Sequence, residues 1–278
     1  MKVYTLNCNG RLFVIDSPVV MGIINATPDS FYSGGRDGDI REILHKADRM
    51  LQAGAGILDI GGLSTRPGSA AVTEREETDR VVPVISMIKK YFPQAFISVD
   101  TYRSGVAKAA FENGADMVND ISAGNMDRDM IPVVAGLNIP YIAMHMQGTP
   151  ANMQDDPRYD DVALEVLQAC ADKLLECRDA GIKDVITDPG FGFGKTLEQN
   201  YTLLKRLHTF AVLDTPLLAG VSRKSMLYKY LHITPEEALN ATSVVNAWAL
   251  EQGVHILRVH DVREARQVVD LWEMYRAL

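Results

Sequence analysis

The hydrophobic pattern of the chain alternates between two periods. Short, nearly continuous apolar runs recur at 19–25 (VVMGIIN), 56–61 (GILDIG), 95–100 (AFISVD), 116–120 (DMVND), 140–145 (PYIAMH), 184–188 (DVITD), 216–222 (PLLAGVS) and 255–260 (HILRVH). Runs of this length without alternation predict strands buried on both faces. Between them lie longer segments with apolar residues at steps of three and four. Val81, Ile85, Ile88 and Phe92 form one such stripe, and Ala265, Val268, Val269 and Trp272 form another. Segment 160–180 follows the same rule, with Cys170 and Cys177 on its apolar face as inert core residues. Thr73 with Glu76 predicts a capping box, and Gly54, Gly114 and Gly181 stand where helices end.

Eight strand–helix units predict an α/β fold, a (β/α)8 TIM barrel, with an open doubly wound sheet as the alternative. No GxGxxG follows the first strand, and no linker divides the chain, so residues 1–278 read as one domain. Residues 2–15 precede the barrel and read as a β-hairpin that covers its bottom.

Composition narrows the function classes. The chain has 278 residues, 47% hydrophobic and 23% charged, enough for a large core. Its net charge of −8 argues against a nucleic-acid partner. No apolar run reaches membrane-spanning length, so no membrane partner is expected. The N-terminus lacks a long apolar signal core, and the three cysteines form no CxxC pair, which predicts a cytoplasmic protein.

A barrel places its chemistry at the C-terminal ends of the strands. All eight predicted ends are polar: Asn25, Asp59 with the following Ser64, Thr65 and Arg66, Asp100, Asn119 with Asp120, His145, Asp188, Ser222 with Arg223 and Lys224, and Arg258 with His260. Arg66, Arg223, Lys224, Arg258 and His260 suit an anion. Asp100, Asn119, Asp188 and Lys224 suit the amide-like edge of a nitrogen heterocycle. PGFGFGKT (189–196) resembles a P-loop, but Pro189 stands where a glycine is required. No zinc or Ser-His-Asp arrangement is evident. His45, His208 and His232 read as surface residues and His255 as structural, while His145 is open between a structural and a functional role. Trp248, inside a helix, reads as core, although either Trp248 or Trp272 fits a subunit contact.

Eight ordered segments resemble the dihydropteroate synthase family of pterin-binding enzymes. They are MGIINATPDSFYSGG, LDIGGLSTRPGS, ISVDT, VNDIS, MHMQGTP, DPGFGFGK, GVSRKSM and RVHDV. The resemblance implies condensation of 6-hydroxymethyl-7,8-dihydropterin diphosphate with 4-aminobenzoate by an SN1-like loss of diphosphate, in an enzyme that is a sulfonamide target. It implies that Asp100, Asn119, Asp188 and Lys224 hold the pterin, with Asp100, Asp188 and Lys224 closest to the chemistry. It implies Arg258 and His260 on the diphosphate, Asn25 on an accompanying Mg²⁺, Thr65 on substrate, and Arg66, Pro67, Phe193 and Ser225 near the aminobenzoate. A homodimer is also implied. Leu63 and Ser33 stand where the family commonly has Glu and Asp. Two other readings share the pterin set: a methyltetrahydrofolate-type methyltransferase and a catalytically inactive pterin-binding protein.

Overall fold

The computed structural model describes residues 1–26, 36–63 and 72–278. Two antiparallel strands open the chain, β1 (Tyr4–Cys8) and β2 (Arg11–Ile15). Eight parallel strands follow: β3 (Val19–Asn25), β4 (Ile57–Gly61), β5 (Phe96–Asp100), β6 (Met117–Asp120), β7 (Tyr141–Met144), β8 (Val185–Asp188), β9 (Leu218–Ala219) and β10 (Ile256–Val259). Their order is β8-β7-β6-β5-β4-β3-β10-β9. A parallel bridge between Thr187 and Leu217, with Thr187 N donating to Pro216 O at 2.9 Å, brings β8 back to the β9 segment and closes the barrel. The predicted barrel is thus the observed architecture.

Helices α1 (Arg36–Gln52), α2 (Glu74–Tyr91), α3 (Ser104–Glu112), α4 (Met130–Leu137), α5 (Val162–Asp179), α6 (Leu197–Lys205), α7 (Ser225–Leu231), α8 (Leu239–Glu251) and α9 (Val262–Ala277) surround it. A 3-10 turn, Leu207–Leu213, lies between α6 and β9. The expected capping box is present: Thr73 Oγ1 accepts from Glu76 N, and the Glu76 carboxylate accepts from Thr73 N. Gly114, at φ +107°, takes the left-handed conformation expected beyond α3. Cys170 and Cys177 are buried as predicted.

Two layers of packing result. Outward-facing strand residues such as Val20, Leu58, Val99, Val118 and Leu257 meet the helices. Inward-facing Met21, Ile57, Met117, Ile142, Ile186, Leu218 and Ile256 fill the lower barrel, where Leu6, Cys8, Phe13 and Ile15 of the hairpin pack against them. The hairpin therefore plugs the bottom, as its position in the sequence implies. Polar ties fix it there: Arg11 reaches Asp116 at 2.9 Å, and Asn7 N donates to Asp184 at 2.7 Å.

Two expectations need correction. The seventh barrel strand spans only Leu218–Ala219 rather than 216–222. Its C-terminal part instead turns into the Ser222–Lys224 segment, where Lys224 N bonds back to Val221 O and Arg223 is left-handed at φ +54°. Trp248 is 51% exposed, because α8 turns its Val245 and Ala249 side chains inward instead.

Candidate active site

The inward positions change character two residues further along the strands. Ile57 is followed by Asp59, Met117 by Asn119, Ile186 by Asp188 and Ile256 by Arg258. Side chains separated by two residues share a face, so these polar groups lie above the apolar layer and face the barrel mouth. Asp59, Ser98, Asn119 and Asp188 are buried there.

Arg258 is the centre of this layer. Its Nε donates to Asp59 Oδ2 at 2.6 Å, and Nη2 donates to Asp100 Oδ2. Asn119 Nδ2 donates to the same Asp59 oxygen at 3.0 Å. The other Asp59 oxygen is buried with no partner among the described residues. Burial pushes Arg258 down, but the carboxylates of Asp59 and Asp100 outweigh it, and the guanidinium ends above its ordinary range. Burial pushes the Asp100 carboxyl up to about 7, with Arg258 opposing. Burial also raises Asp188, against the pull of Lys224.

A second cluster lies beside it, on the segments that follow β8 and β9. Asp188 Oδ1 accepts from Gly190 N at 2.8 Å. Lys224 Nζ donates to Phe191 O and lies 4.6 Å from the centre of the Phe193 ring. Burial lowers Lys224 to about 8. Gly220 leaves room beneath it: a Cβ there would lie 3.9 Å from both Lys224 Nζ and Arg258. His260 Nδ1 is 3.0 Å from Ser222 Oγ, and burial together with the Arg258 charge lowers the imidazole to about 4. Ser225 is half-buried at the start of α7.

Asn25 ends β3 with an exposed side chain. It borders a cleft of about 380 Å³ shared with Glu42, His45, Lys46 and Arg49 of α1. Thr65, Arg66, Pro67 and Ser33 lie outside the described residues. The structure thus brings Asp100, Asn119, Asp188, Phe193, Lys224, Arg258 and His260 to one end of the barrel.

Arg223 departs from its expected role as an anion donor. Its guanidinium is bidentate to Asp261 at 2.8 and 2.9 Å and also donates to Pro235 O and Glu236 O, so it ties loops together. Asp120 also faces away from the mouth, accepting from Tyr141 Oη at 2.7 Å. His45, His208 and His232 are exposed, and His255 Nδ1 accepts from Leu217 N at 3.1 Å.

Sequence reasoning left Asp59 without a role, although an Asp inside a fully buried strand was its signal. It named Ser222 as a strand end without a role, and passed over Lys195, which is 2% exposed. Their partners are more than thirty residues distant in the chain, so no local pattern showed them.

The comparisons agree with this geometry. Residues 21–260 match the family model described as "Pterin binding enzyme". The dihydropteroate synthase of Escherichia coli K12 is 42% identical over 270 residues, covering 96% of this chain and 95% of that protein. That of Haemophilus influenzae is 38% identical and covers 98% of each chain. Among solved structures, the Yersinia pestis dihydropteroate synthase in a sulfonamide drug complex superposes with a TM-score of 0.93, at 40% identity, over 99% of this chain and 100% of that one. The Xanthomonas albilineans dihydropteroate synthase in complex with 7,8-dihydropteroate superposes with a TM-score of 0.89, at 35% identity, over 99% and 100% of the two chains. A polar barrel mouth of this composition, in a chain matched along its length, identifies this protein as a member of the dihydropteroate synthase family of pterin-binding enzymes.

Proposed function

We propose that the whole chain works as one domain and condenses 6-hydroxymethyl-7,8-dihydropterin diphosphate with 4-aminobenzoate, giving 7,8-dihydropteroate and diphosphate. The observation that carries this reading is the inward layer of Asp59, Asp100, Asn119, Asp188, Lys224 and Arg258 above an apolar floor. The Xanthomonas albilineans relative solved with 4-aminobenzoic acid, at 37% identity and a TM-score of 0.93, supports the arylamine half.

The carboxylate of Asp188 and the amide of Asn119 accept from, and donate to, the N–H and carbonyl edge of the pterin. Lys224, from the same cluster as Asp188, donates to the ring. Bond breaking between the methylene carbon and the diphosphate oxygen leaves positive charge that the electron-rich pterin shares. Asp100 and Asp188 stabilise that charge, since groups fixed in place need no reorganisation during the reaction. The arylamine nitrogen then forms the new C–N bond and loses its proton to solvent or to departing diphosphate. Arg258 and His260 face the diphosphate, with Thr65, Arg66, Pro67, Phe193 and Ser225 completing the aminobenzoate side.

The residues at hand fit a Mg²⁺ that arrives with the diphosphate. Asn25 offers one neutral oxygen beside Glu42, and among the described residues no three His, Cys, Asp or Glu side chains converge on a metal site. Mg²⁺ commonly takes one or two protein oxygens and completes its shell with phosphate and water. When bound, it neutralises charge on the leaving diphosphate.

We also infer a homodimer formed through α8 and α9. Its support is an exposed apolar set comprising Val244, Trp248, Leu271, Met274 and Tyr275, with Leu271 73% exposed. Sedimentation of the parent as a monomer at micromolar concentration overturns this assignment. We propose a cytoplasmic setting, supported by three buried cysteines that stay free thiols. No helix among the described residues is long and apolar enough to cross a membrane.

The deciding experiment mixes both substrates with purified protein, with and without Mg²⁺. Dihydropteroate formation that requires Mg²⁺ and is inhibited by a sulfonamide is expected. Absence of product from folded protein overturns the reading.

A further inference from the structure

The near-P-loop segment at 189–196 fails as a phosphate motif, yet it ends in one of the most buried charged side chains of the chain. Lys195 is 2% exposed. Its ammonium does not point at the barrel mouth. Nζ donates to Gly190 O at 2.8 Å and to Phe193 O at 3.1 Å, and lies 3.0 Å from His145 Nδ1. An ammonium carries three donors, and these three acceptors use all of them. Among the described residues no carboxylate pairs with it within ion-pair distance. A buried lysine held only by neutral acceptors is costly, so the fold retains it against a penalty.

The loop that Lys195 grips, Gly190–Gly194, is the support for Lys224. Lys224 Nζ donates to Phe191 O and lies 4.6 Å from the Phe193 ring centre. Phe191 lies between the two carbonyls that Lys195 holds, and Phe193 carries the second of them. Further ties fasten the same loop from outside: Asn200 Oδ1 accepts from Gly192 N at 2.7 Å, and Tyr159 Oη donates to Gly194 O at 2.9 Å. The loop also lies directly on the segment after β7. Gly190 has φ +71°, and a Cβ there would collide with the His145 carbonyl. His145 thus joins the ends of β7 and β8 through Lys195. This gives the residue left open by the sequence a structural task.

We propose that Lys195 is a positioning residue for substrate binding: by tying Gly190, Phe193 and His145 together, it sets the carbonyl and the ring against which Lys224 rests. This rests on the dihydropteroate synthase reading, because the consequence of displacing Lys224 is loss of pterin affinity. Lys195 acts through the loop and touches no substrate.

Lys195→Met keeps most of the side-chain volume and removes all three bonds. The measurements are KM and kcat for the pterin diphosphate, and calorimetric affinity for unreactive 6-hydroxymethylpterin. Expected are a KM at least tenfold above the parent, a matching loss of affinity, and a smaller fall in kcat. A purely structural role gives a different split: kcat falls with the folded fraction while KM stays within twofold. That outcome overturns the proposal. If Lys195→Met does not fold, His145→Gln removes the imidazole partner alone. It is expected to raise KM two- to fivefold, and an unchanged KM overturns the proposal. A parent that binds 6-hydroxymethylpterin but forms no dihydropteroate fails the proposed function, while the affinity ratio of parent to variant still decides the role of Lys195.

Discussion

The bottom and the mouth of this barrel are built from the same strands, one inward position apart, and they obey opposite rules. At the bottom, Ile57, Met117, Ile186 and Ile256 pack with Leu6, Phe13 and Ile15 of the hairpin. Each side chain there gains from leaving water. At the mouth, Asp59, Asn119, Asp188 and Arg258 occupy the next inward positions, and each loses hydration. Burial holds Asp100 at about 7 and Lys224 at about 8, both displaced toward their neutral forms. The bottom therefore stabilises the fold, and the mouth holds charges that a more stable barrel would do without. Such a division marks the mouth as the working end.

The largest test of this contrast is Lys224→Met. It removes the donor that the proposed function assigns to the pterin ring, and kcat/KM is expected to fall on the order of 10²–10³-fold. Melting temperature is expected to hold or rise, since a desolvated ammonium is replaced by an apolar side chain of similar length. Steady-state kinetics and thermal unfolding on the same preparation check both halves. The converse variant is Ile186→Ala in the floor. Loss of a buried aliphatic side chain lowers stability by about 2–5 kcal/mol in denaturant titration. KM for the folded fraction is expected to stay that of the parent. A variant of either layer that behaves like the other breaks the comparison.

The two layers also differ in how legible they were. The apolar periodicity predicted β3 at its observed bounds, Val19–Asn25, and placed every other barrel strand, because burial on both faces writes itself into consecutive residues. The hairpin plug was readable for the same reason. At the mouth, the sequence showed which polar residues end the strands but not their partners. Arg258 meets Asp59 across 199 positions and Asp100 across 158. Arg223 looked like an anion ligand until its pairing with Asp261 was seen, 38 positions away. Lys195 finds one of its three partners in His145, 50 positions earlier. Periodicity reports on the face a residue takes, and these roles depend on which neighbour the closed barrel brings.

The pH profile sharpens the contrast at smaller amplitude. In the proposed mechanism Asp100 serves only when ionised, so activity is expected to fall about tenfold per unit below pH 7. Lys224 donates best when protonated, which sets a decline above about 8. Stability follows a different sign. The Lys224 value of about 8 lies below its ordinary 10.5, so the unfolded chain binds more protons between those values. Folding stability contributed by this group therefore rises with pH across that window. The parent is expected to gain melting temperature relative to Lys224→Met from pH 8 to pH 10 while its activity declines. A flat difference between the two proteins would place Lys224 outside the buried layer.

Ser222→Ala gives the smallest expected effect and tests how a neutral group serves the mouth. Burial and Arg258 hold the His260 imidazole at about 4, so it is uncharged at pH 7 in the free protein. Raising it by three units would require about 4 kcal/mol from a bound anion. Protonation is unnecessary if the ring already presents an N–H. Ser222 Oγ accepts from His260 N at 3.2 Å and lies 3.0 Å from Nδ1, so its single proton is free to go to Nδ1. With the serine donating, the ring hydrogen stands on Nε2, the nitrogen that the proposed function gives to the diphosphate. Removing the hydroxyl frees the ring to choose either tautomer and to turn. One neutral hydrogen bond contributes about 0.5–1.5 kcal/mol, which corresponds to roughly a two- to twelvefold loss in kcat/KM. Nitrogen-15 NMR of His260 should show the Nε2–H form in the parent and a mixture in the variant. An imidazolium signal in the free parent at pH 7 would instead make the diphosphate side of the mouth a charged clamp, and the serine only its spacer.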